Sequence, residues 1–247
     1  MKRYVLLVGM ATVGALILAA CGGGGEDAGK TPTASPYAPT IDAARFTDSV
    51  TNHYFPLTPG TTYVYEGTKD GARQRNEVTV THDTKTILGV SCVVVHDSVM
   101  EEGNLVEDTF DWYAQDSAGN VWYFGEDSKE YENGKVTSTE GSWEAGVDGA
   151  QPGIVMEATP KVGDTYRQEY YAGQAEDMAK VLSVNESKTV SAGAYQEVVV
   201  TEEFTPLEPD TVEHKYFAPG VGFLAGSMVK GGSEESELVQ IITNGPD

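Results

Sequence analysis

From about Tyr54 onward the chain alternates with a period of two. Short runs rich in Val, Thr, Tyr and Trp are separated by Gly, Asn, Asp and Pro; examples are Thr62-Tyr63-Val64-Tyr65, Glu77 to Thr81, Thr86 to Val95, Leu105 to Gln115 and Val121 to Phe124. Side chains on a strand alternate between its two faces, so this pattern reads as a series of strands. Asn133-Gly134 lies between Glu130-Tyr131-Glu132 and Val136 to Thr139. A type I′ hairpin turn needs positive φ twice, and this pair supplies it. Past the N-terminus no window carries a convincing helical stripe. Ala175 to Leu182 comes nearest, yet Met178, Leu182 and Val184 also fit strand alternation. The pattern predicts an all-β, antiparallel domain.

The strand series runs twice. Gly60, Thr62, Tyr63 and Glu66 recur about 103 residues later as Gly163, Thr165, Tyr166 and Glu169, and Lys85-Thr86-Ile87 recurs as Lys188-Thr189-Val190. Gly89 matches Gly193, Val93-Val94-Val95 matches Val198-Val199-Val200, and Trp112-Tyr113-Ala114 matches Tyr216-Phe217-Ala218. The shared order and near-constant spacing point to a duplicated meander of about five strands, with residues 126–158 an extra hairpin and loop in the first copy. Residues 53–158 then form the first β unit and 159–247 the second. Two units could stand as separate subdomains, but one curved sheet or open barrel covers more edges and is the expected architecture.

The first 52 residues read differently. Lys2 and Arg3 precede an almost wholly apolar run from Tyr4 to Leu18, too short for a spanning helix and ending in small residues, as in a secretory signal. Leu18-Ala19-Ala20-Cys21 resembles the lipobox of bacterial lipoproteins. That resemblance implies a signal peptide over residues 1–20, cleavage before Cys21 and lipidation of its thiol and new amine. Two or three acyl chains anchor stably where one does not. Residues 21–52 follow as the lipidated cysteine and a Gly-, Pro- and Ser-rich flexible tether. The anchor would hold the domain at the cell membrane or outer membrane, facing periplasm or cell exterior.

The chain also resembles a group of uncharacterised bacterial secreted and lipoprotein β-domains. The resemblance rests on Tyr54-Phe55-Pro56-Leu57 with Pro59-Gly60-Thr61-Thr62-Tyr63, on Val190-Ser191-Ala192-Gly193-Ala194-Tyr195, and on Tyr216-Phe217-Ala218-Pro219-Gly220-Val221-Gly222. It implies a shared β-fold and an envelope location, and it carries no catalytic residue to transfer.

Charge limits the partners. Sixteen Lys and Arg stand against 38 Asp and Glu, a formal net charge of −22. A field of that sign repels phosphate backbones, which excludes nucleic acid, and repels anionic headgroups, which leaves the lipid anchor as the route to a membrane. After cleavage Cys92 is the sole thiol not lipidated, inside the apolar run Gly89 to Val95, where a packed core residue is expected.

Chemistry-bearing motifs are few. No Gly-x-Ser-x-Gly occurs, and His96-Asp97-Ser98 cannot converge as neighbours on a strand. His53, His82, His96 and His214 show no ligand-type spacing for zinc. Carboxylates are the distinctive feature: fifteen Asp or Glu lie between Glu101 and Asp164, with Trp112, Trp122 and Trp143 among them. On Leu105 to Gln115, alternation places Val106, Phe110, Trp112 and Ala114 on one face, expected as core. Glu107, Asp111 and Tyr113 share the other, expected as solvent or binding surface. The loop from Glu144 to Gly153, with Glu144 and Asp148, is the expected place for Ca²⁺, which takes six to eight oxygen ligands.

These features point to a non-enzymatic binding or scaffold module in the cell envelope, without cofactor unless Ca²⁺. The alternatives are an open-barrel carrier of a small apolar or lipid ligand and a calcium-dependent surface module. A carrier would leave its inward positions apolar and unfilled, a scaffold would be packed solid, and a hydrolase would bring two carboxylates together across strands.

Overall fold

The computed structural model describes residues 37–243. A 3-10 turn, Ala43–Arg45, leads into β1 (Phe46–Thr47), β2 (Val50–Asn52) and β3 (Phe55–Leu57). A first meander follows: β4 (Thr61–Lys69), β5 (Ala72–Ile87), β6 (Val90–Glu101), β7 (Asn104–Asp116) and β8 (Val121–Glu132). The insertion supplies β9 (Lys135–Ser138), β10 (Trp143–Glu144) and β11 (Gln151–Met156). The second meander contains β12 (Thr165–Arg167), β13 (Glu169–Tyr170), β14 (Met178–Val190), β15 (Gly193–Phe204), β16 (Val212–Ala218), β17 (Gly222–Lys230) and β18 (Glu234–Thr243).

Both meanders belong to one antiparallel sheet, ordered β12-β14-β15-β16-β17-β18-β4-β5-β6-β7-β8-β11-β13. Its two end strands are consecutive in the chain, separated by Gln168. One short segment therefore pairs with β14 through Thr165–Arg167 and with β11 through Glu169–Tyr170, and the sheet is nearly closed into a barrel with a single seam. Closure removes the exposed edges that an open sheet would carry. Local sequence fixes the register. Asp70-Gly71, Leu88-Gly89, Glu102-Gly103 and Asn133-Gly134 all have positive φ at both residues, the geometry that matches the twist of two-residue hairpins.

The halves repeat in their contacts. Gly60 N donates to Val80 O at 2.8 Å, and Gly163 N to Val181 O at 2.9 Å. Lys85 Nζ lies 3.2 Å from the ring centre of Trp112, and Lys188 Nζ lies 4.0 Å from that of Tyr216. The tip of the β5–β6 hairpin sets Leu88 against Gly146 and bonds Lys85 to Glu144. The tip of β14–β15 reaches β18, where Ala192 N donates to Leu238 O and Ser191 Oγ to Glu237.

The hairpin β2–β3 forms a separate two-stranded sheet that plugs one end of the barrel. Val50, Phe55 and Leu57 are buried in the core. The Phe55 ring stands 5.4 Å from Tyr113 and 6.4 Å from Phe217, which are equivalent positions of the two halves. Asn52 Nδ2 donates to the carbonyls of Gly119 and Glu157, and Gly220 N donates to His53 O, tying the plug to the rim turns.

Order begins earlier than composition suggests. Tyr37 OH donates to Pro152 O at 3.1 Å, its ring meets Tyr170 at 5.7 Å, and Phe46 packs edge-on against Trp122 and Phe124. Residues 37–52, expected as tether, are thus fastened to the barrel by widely spaced aromatic anchors in an otherwise polar stretch. The signal segment, Cys21 and the tether up to residue 36 lie outside the described residues.

Candidate functional site

The strand β7 sets the character of the interior. Glu107, Thr109, Asp111 and Tyr113 point into the barrel and are at most 4% exposed. This reverses the expectation of a solvent face. Alternation distinguishes two faces but does not say which is covered, and here both are. On the outer face Phe110 stacks on His96 at 4.5 Å, and Trp112 lies beneath Lys85, whose ammonium also pairs with Glu144 at 2.7 Å.

Other strands add to the acidic lumen. Asp97, Glu126, Glu169, Glu203 and Glu234 are buried with Glu107 and Asp111; among the described residues the buried lysines are Lys69 and Lys215. The second half is internally paired. Lys215 Nζ lies 2.8 Å from Glu203 Oε2 and 3.7 Å from Glu213 Oε2, and Thr201 donates to Glu203 at 3.0 Å. Burial opposes the Lys215 charge, but Glu203, Glu213 and Asp177 outweigh it and hold its pKa above the ordinary lysine value. At the far rim Lys69 pairs with Glu234 at 3.5 Å; burial nevertheless lowers its pKa.

Among the described residues no such cation stands at the centre of the first half. Asp111 sits directly across the ladder from Glu126 and accepts a 2.7 Å bond from Tyr123 OH. Asn76 Nδ2 approaches Asp97 Oδ2 at 3.5 Å, and Thr109 donates to Glu107 at 3.0 Å. Burial pushes the Glu107 carboxyl up to about 8. It raises Asp97 and Glu126 well above the carboxylate range, with neighbouring carboxylates adding to the shift, and raises Asp111 too. Two carboxyl groups are thus brought together across strands. They are 1–2% exposed, behind the stacked rings of Tyr113 and Tyr123.

Toward the plug the lumen becomes apolar. Phe55, Leu57, Tyr63, Tyr65, Val78 and Phe223 line a cavity of about 30 Å³, and Tyr65 OH donates to Phe223 O across it.

The loop candidates lie apart from the lumen. Glu144 is engaged by Lys85, and Asp148 stands on an exposed turn at φ 50°. Among the described residues no group of three or more His, Cys, Asp or Glu is placed to hold a metal ion. The turn Asp116 to Asn120 is satisfied from within: Asp116 accepts from Ala118 N, Asn120 N, Asn120 Nδ2 and Trp122 Nε1. His96 pairs outward with Asp108 at 2.6 Å while Asp97 faces inward. Cys92 is buried, and burial pushes its thiol up to about 12.

Sequence reasoning named Glu107, Asp111 and Tyr113 but missed Asp97, Glu126, Glu169, Glu203 and Lys215. The one available signal lies in the repeat. Matching Trp112-Tyr113-Ala114 to Tyr216-Phe217-Ala218 sets Asp111 against Lys215.

No family model and no curated protein matches the chain. Two solved structures are similar to it. One is a presumed exported protein with a YmcC-like fold from Bacteroides fragilis, 16% identical, with a TM-score of 0.48 over 78% of this chain and 100% of that one. The other is a presumed lipoprotein from Parabacteroides distasonis, 12% identical, with a TM-score of 0.42 over 77% of this chain and 99% of that one.

Proposed function

We propose that the chain is a cell-envelope lipoprotein, anchored through Cys21, whose barrel is a non-enzymatic scaffold working through its outer surface. The observation that carries this reading is the filled interior. Tyr113, Tyr123, Phe55, Phe217 and Phe223 pack against one another, Lys215 pairs with Glu203 in the second half of the lumen, and Asp97, Asp111 and Glu126 are buried in the first. A carrier of a lipid or similar apolar molecule needs a pocket of roughly 300–1,000 Å³ lined by apolar groups. The cavity of about 30 Å³ at the plug is far below that, and acids line the rest. The lumen carboxylates favour no hydrolase either, because a substrate must reach the acid and base that act on it. Partners are then expected on the outside, among other envelope proteins.

Native mass spectrometry of the lipidated chain, compared with its denatured mass, tests the scaffold reading. The expected native mass is the chain plus its acyl groups, with nothing lost on denaturation. A small-molecule mass released on unfolding would refute the scaffold and support the carrier. A calcium mass removed by EDTA would support the surface module instead. Separately, Cys21→Ser should move the protein from the membrane fraction to the soluble one; retention in the membrane would refute the anchor alone.

A further inference from the structure

The two halves of the barrel use equivalent positions differently. Asp111 pairs with Val95 across the ladder, and Asp97 with Thr109; in the second half Lys215 pairs with Thr201, and Glu203 with Glu213. By register, Asp111 therefore corresponds to Lys215, and Asp97 to Glu203. In the second half this diagonal is an ammonium–carboxylate pair at 2.8 Å. In the first half it is carboxyl against carboxyl, at 1% exposure for both. We propose that the first half holds a proton where the second half places the Lys215 ammonium, with Asp111, Asp97 and Glu126 as the site that shares it.

Three observations besides the acids themselves support this. Asn76 Oδ1, a neutral acceptor buried to 8% exposure beside Asp97, has no hydrogen-bond partner, and neither do Asp97 Oδ1 and Glu126 Oε2. Orphaned acceptors on both strands that flank Asp111 call for a donor, because a buried polar group left unpaired is costly. Next, among the described residues no metal-holding group exists, whereas a proton needs neither a ligand set nor space. Third, burial and like charge both disfavour two ionised carboxylates side by side, as in sites where a carboxyl pair shares one proton.

The surroundings do not supply the missing charge. From β4 come Tyr65 and, nearer Glu107, Lys69; from β6 comes His96, whose charge would lower Asp111 only from the outer face. On β7 and β8 the neighbours are Glu107, Asp108, Thr109, Tyr113, Tyr123, Ser128 and Glu130. Trp143 of β10 packs on Tyr123, and Glu169 of β13 adds another carboxyl, itself raised by burial and by Asp177 and relieved in part by Lys215. The carboxyls of Asp97, Glu107, Asp111 and Glu126 are all shifted upward, so the sign follows. Unfolded Asp and Glu titrate near pH 4, so the stability due to the protonated site is complete below about pH 4 and is lost as pH rises through the folded values.

The test follows urea unfolding of the full mature chain between about pH 5 and 8, where exposed carboxylates are ionised in both states. One retained proton makes the unfolding constant rise about tenfold per pH unit. The wild type is expected to show at least that slope, and Asp111→Asn to lose about tenfold per unit of it. Should Asp111→Asn fail to fold, Asp97→Asn offers the same comparison. Difference infrared spectroscopy of the wild type at neutral pH should show protonated-carboxyl carbonyl absorption that is reduced in Asp111→Asn, the remainder coming from other buried carboxyls such as Glu107 and Glu213. A flat wild-type slope would overturn the proposal, as would infrared absorption that Asp111→Asn leaves unreduced. A native mass carrying an inorganic cation that leaves on denaturation would also overturn it, by placing that ion where the proton is assigned.

Discussion

Removing the Lys215 ammonium should destabilise the barrel more than any other single charge change, and the structure sets the size. Its Nζ is 2.8 Å from Glu203 and 3.7 Å from Glu213, and the Lys215 and Glu203 side chains are 7% and 8% exposed, so water screens the pair little. Deleting one partner of a buried ion pair leaves the other charge uncompensated, at about 3–5 kcal/mol. Lys215→Met keeps most of the side-chain volume, which separates that cost from a cavity. With m of about 2–3 kcal/mol/M for a domain of this size, the urea midpoint at pH 7 should fall by about 1–2 M. The deficit should depend on pH. Burial already pushes the Glu213 carboxyl up to about 8, above its unfolded value near 4.3, and once the ammonium is gone it rises further. Below about pH 4 both states are protonated and the loss should be smallest; it should grow as pH rises. Adding Glu203→Gln to Lys215→Met should recover about half of the loss or more, because the stranded charge is removed with its partner. A loss below about 1 kcal/mol at pH 7, or a double variant no better than the single, would refute the reasoning.

Two further outcomes follow from packing. Phe55→Ala removes the ring that joins the plug to Tyr113 and Phe217, and should cost about 3–5 kcal/mol in urea unfolding; a change under about 1 kcal/mol would mean the plug is not integral to the barrel. Cys92, buried with its thiol pushed up to about 12, should resist iodoacetamide at pH 8 in the folded protein and react on denaturation, as read by mass. Equal rates in both states would show that the run around Cys92 opens freely.

The all-β class and the single curved sheet were legible because they rest on local signals. Asn133-Gly134 marks a turn whichever residues fill the core, and the repeat from Gly60 to Gly163 marks matching corners that donate to Val80 and Val181. The interior was not legible, for a geometric reason. A period of two separates Glu107, Asp111 and Tyr113 from Phe110 and Trp112, but closure and the outer covering decide which set meets water. That covering comes from far along the chain: Phe46 lies on Trp122 and Phe124, and Lys85 on Trp112. The polar stretch before Asn52 gave no periodic warning, because its anchors Tyr37 and Phe46 are isolated residues.

The two halves then separate what specifies the barrel from what specializes it. Corner glycines and Lys–aromatic pairs on the outer face recur, and so does the aromatic that meets the plug, Tyr113 in one half and Phe217 in the other. These positions share backbone geometry, and a duplicated sequence that retains them folds into the same meander twice. The lumen positions above them carry opposite charge, Asp111 against Lys215, on the same ladder geometry. Backbone pairing leaves that choice open, since strand register is satisfied whichever side chain points inward. What constrains it is the low dielectric of a filled interior, where charge must be paired or neutralised. The second half pairs its charge through Lys215, so the first must neutralise its own. The difference between Asp111 and Lys215 is therefore a place where interior charge can vary in this fold while the strand pairing is kept.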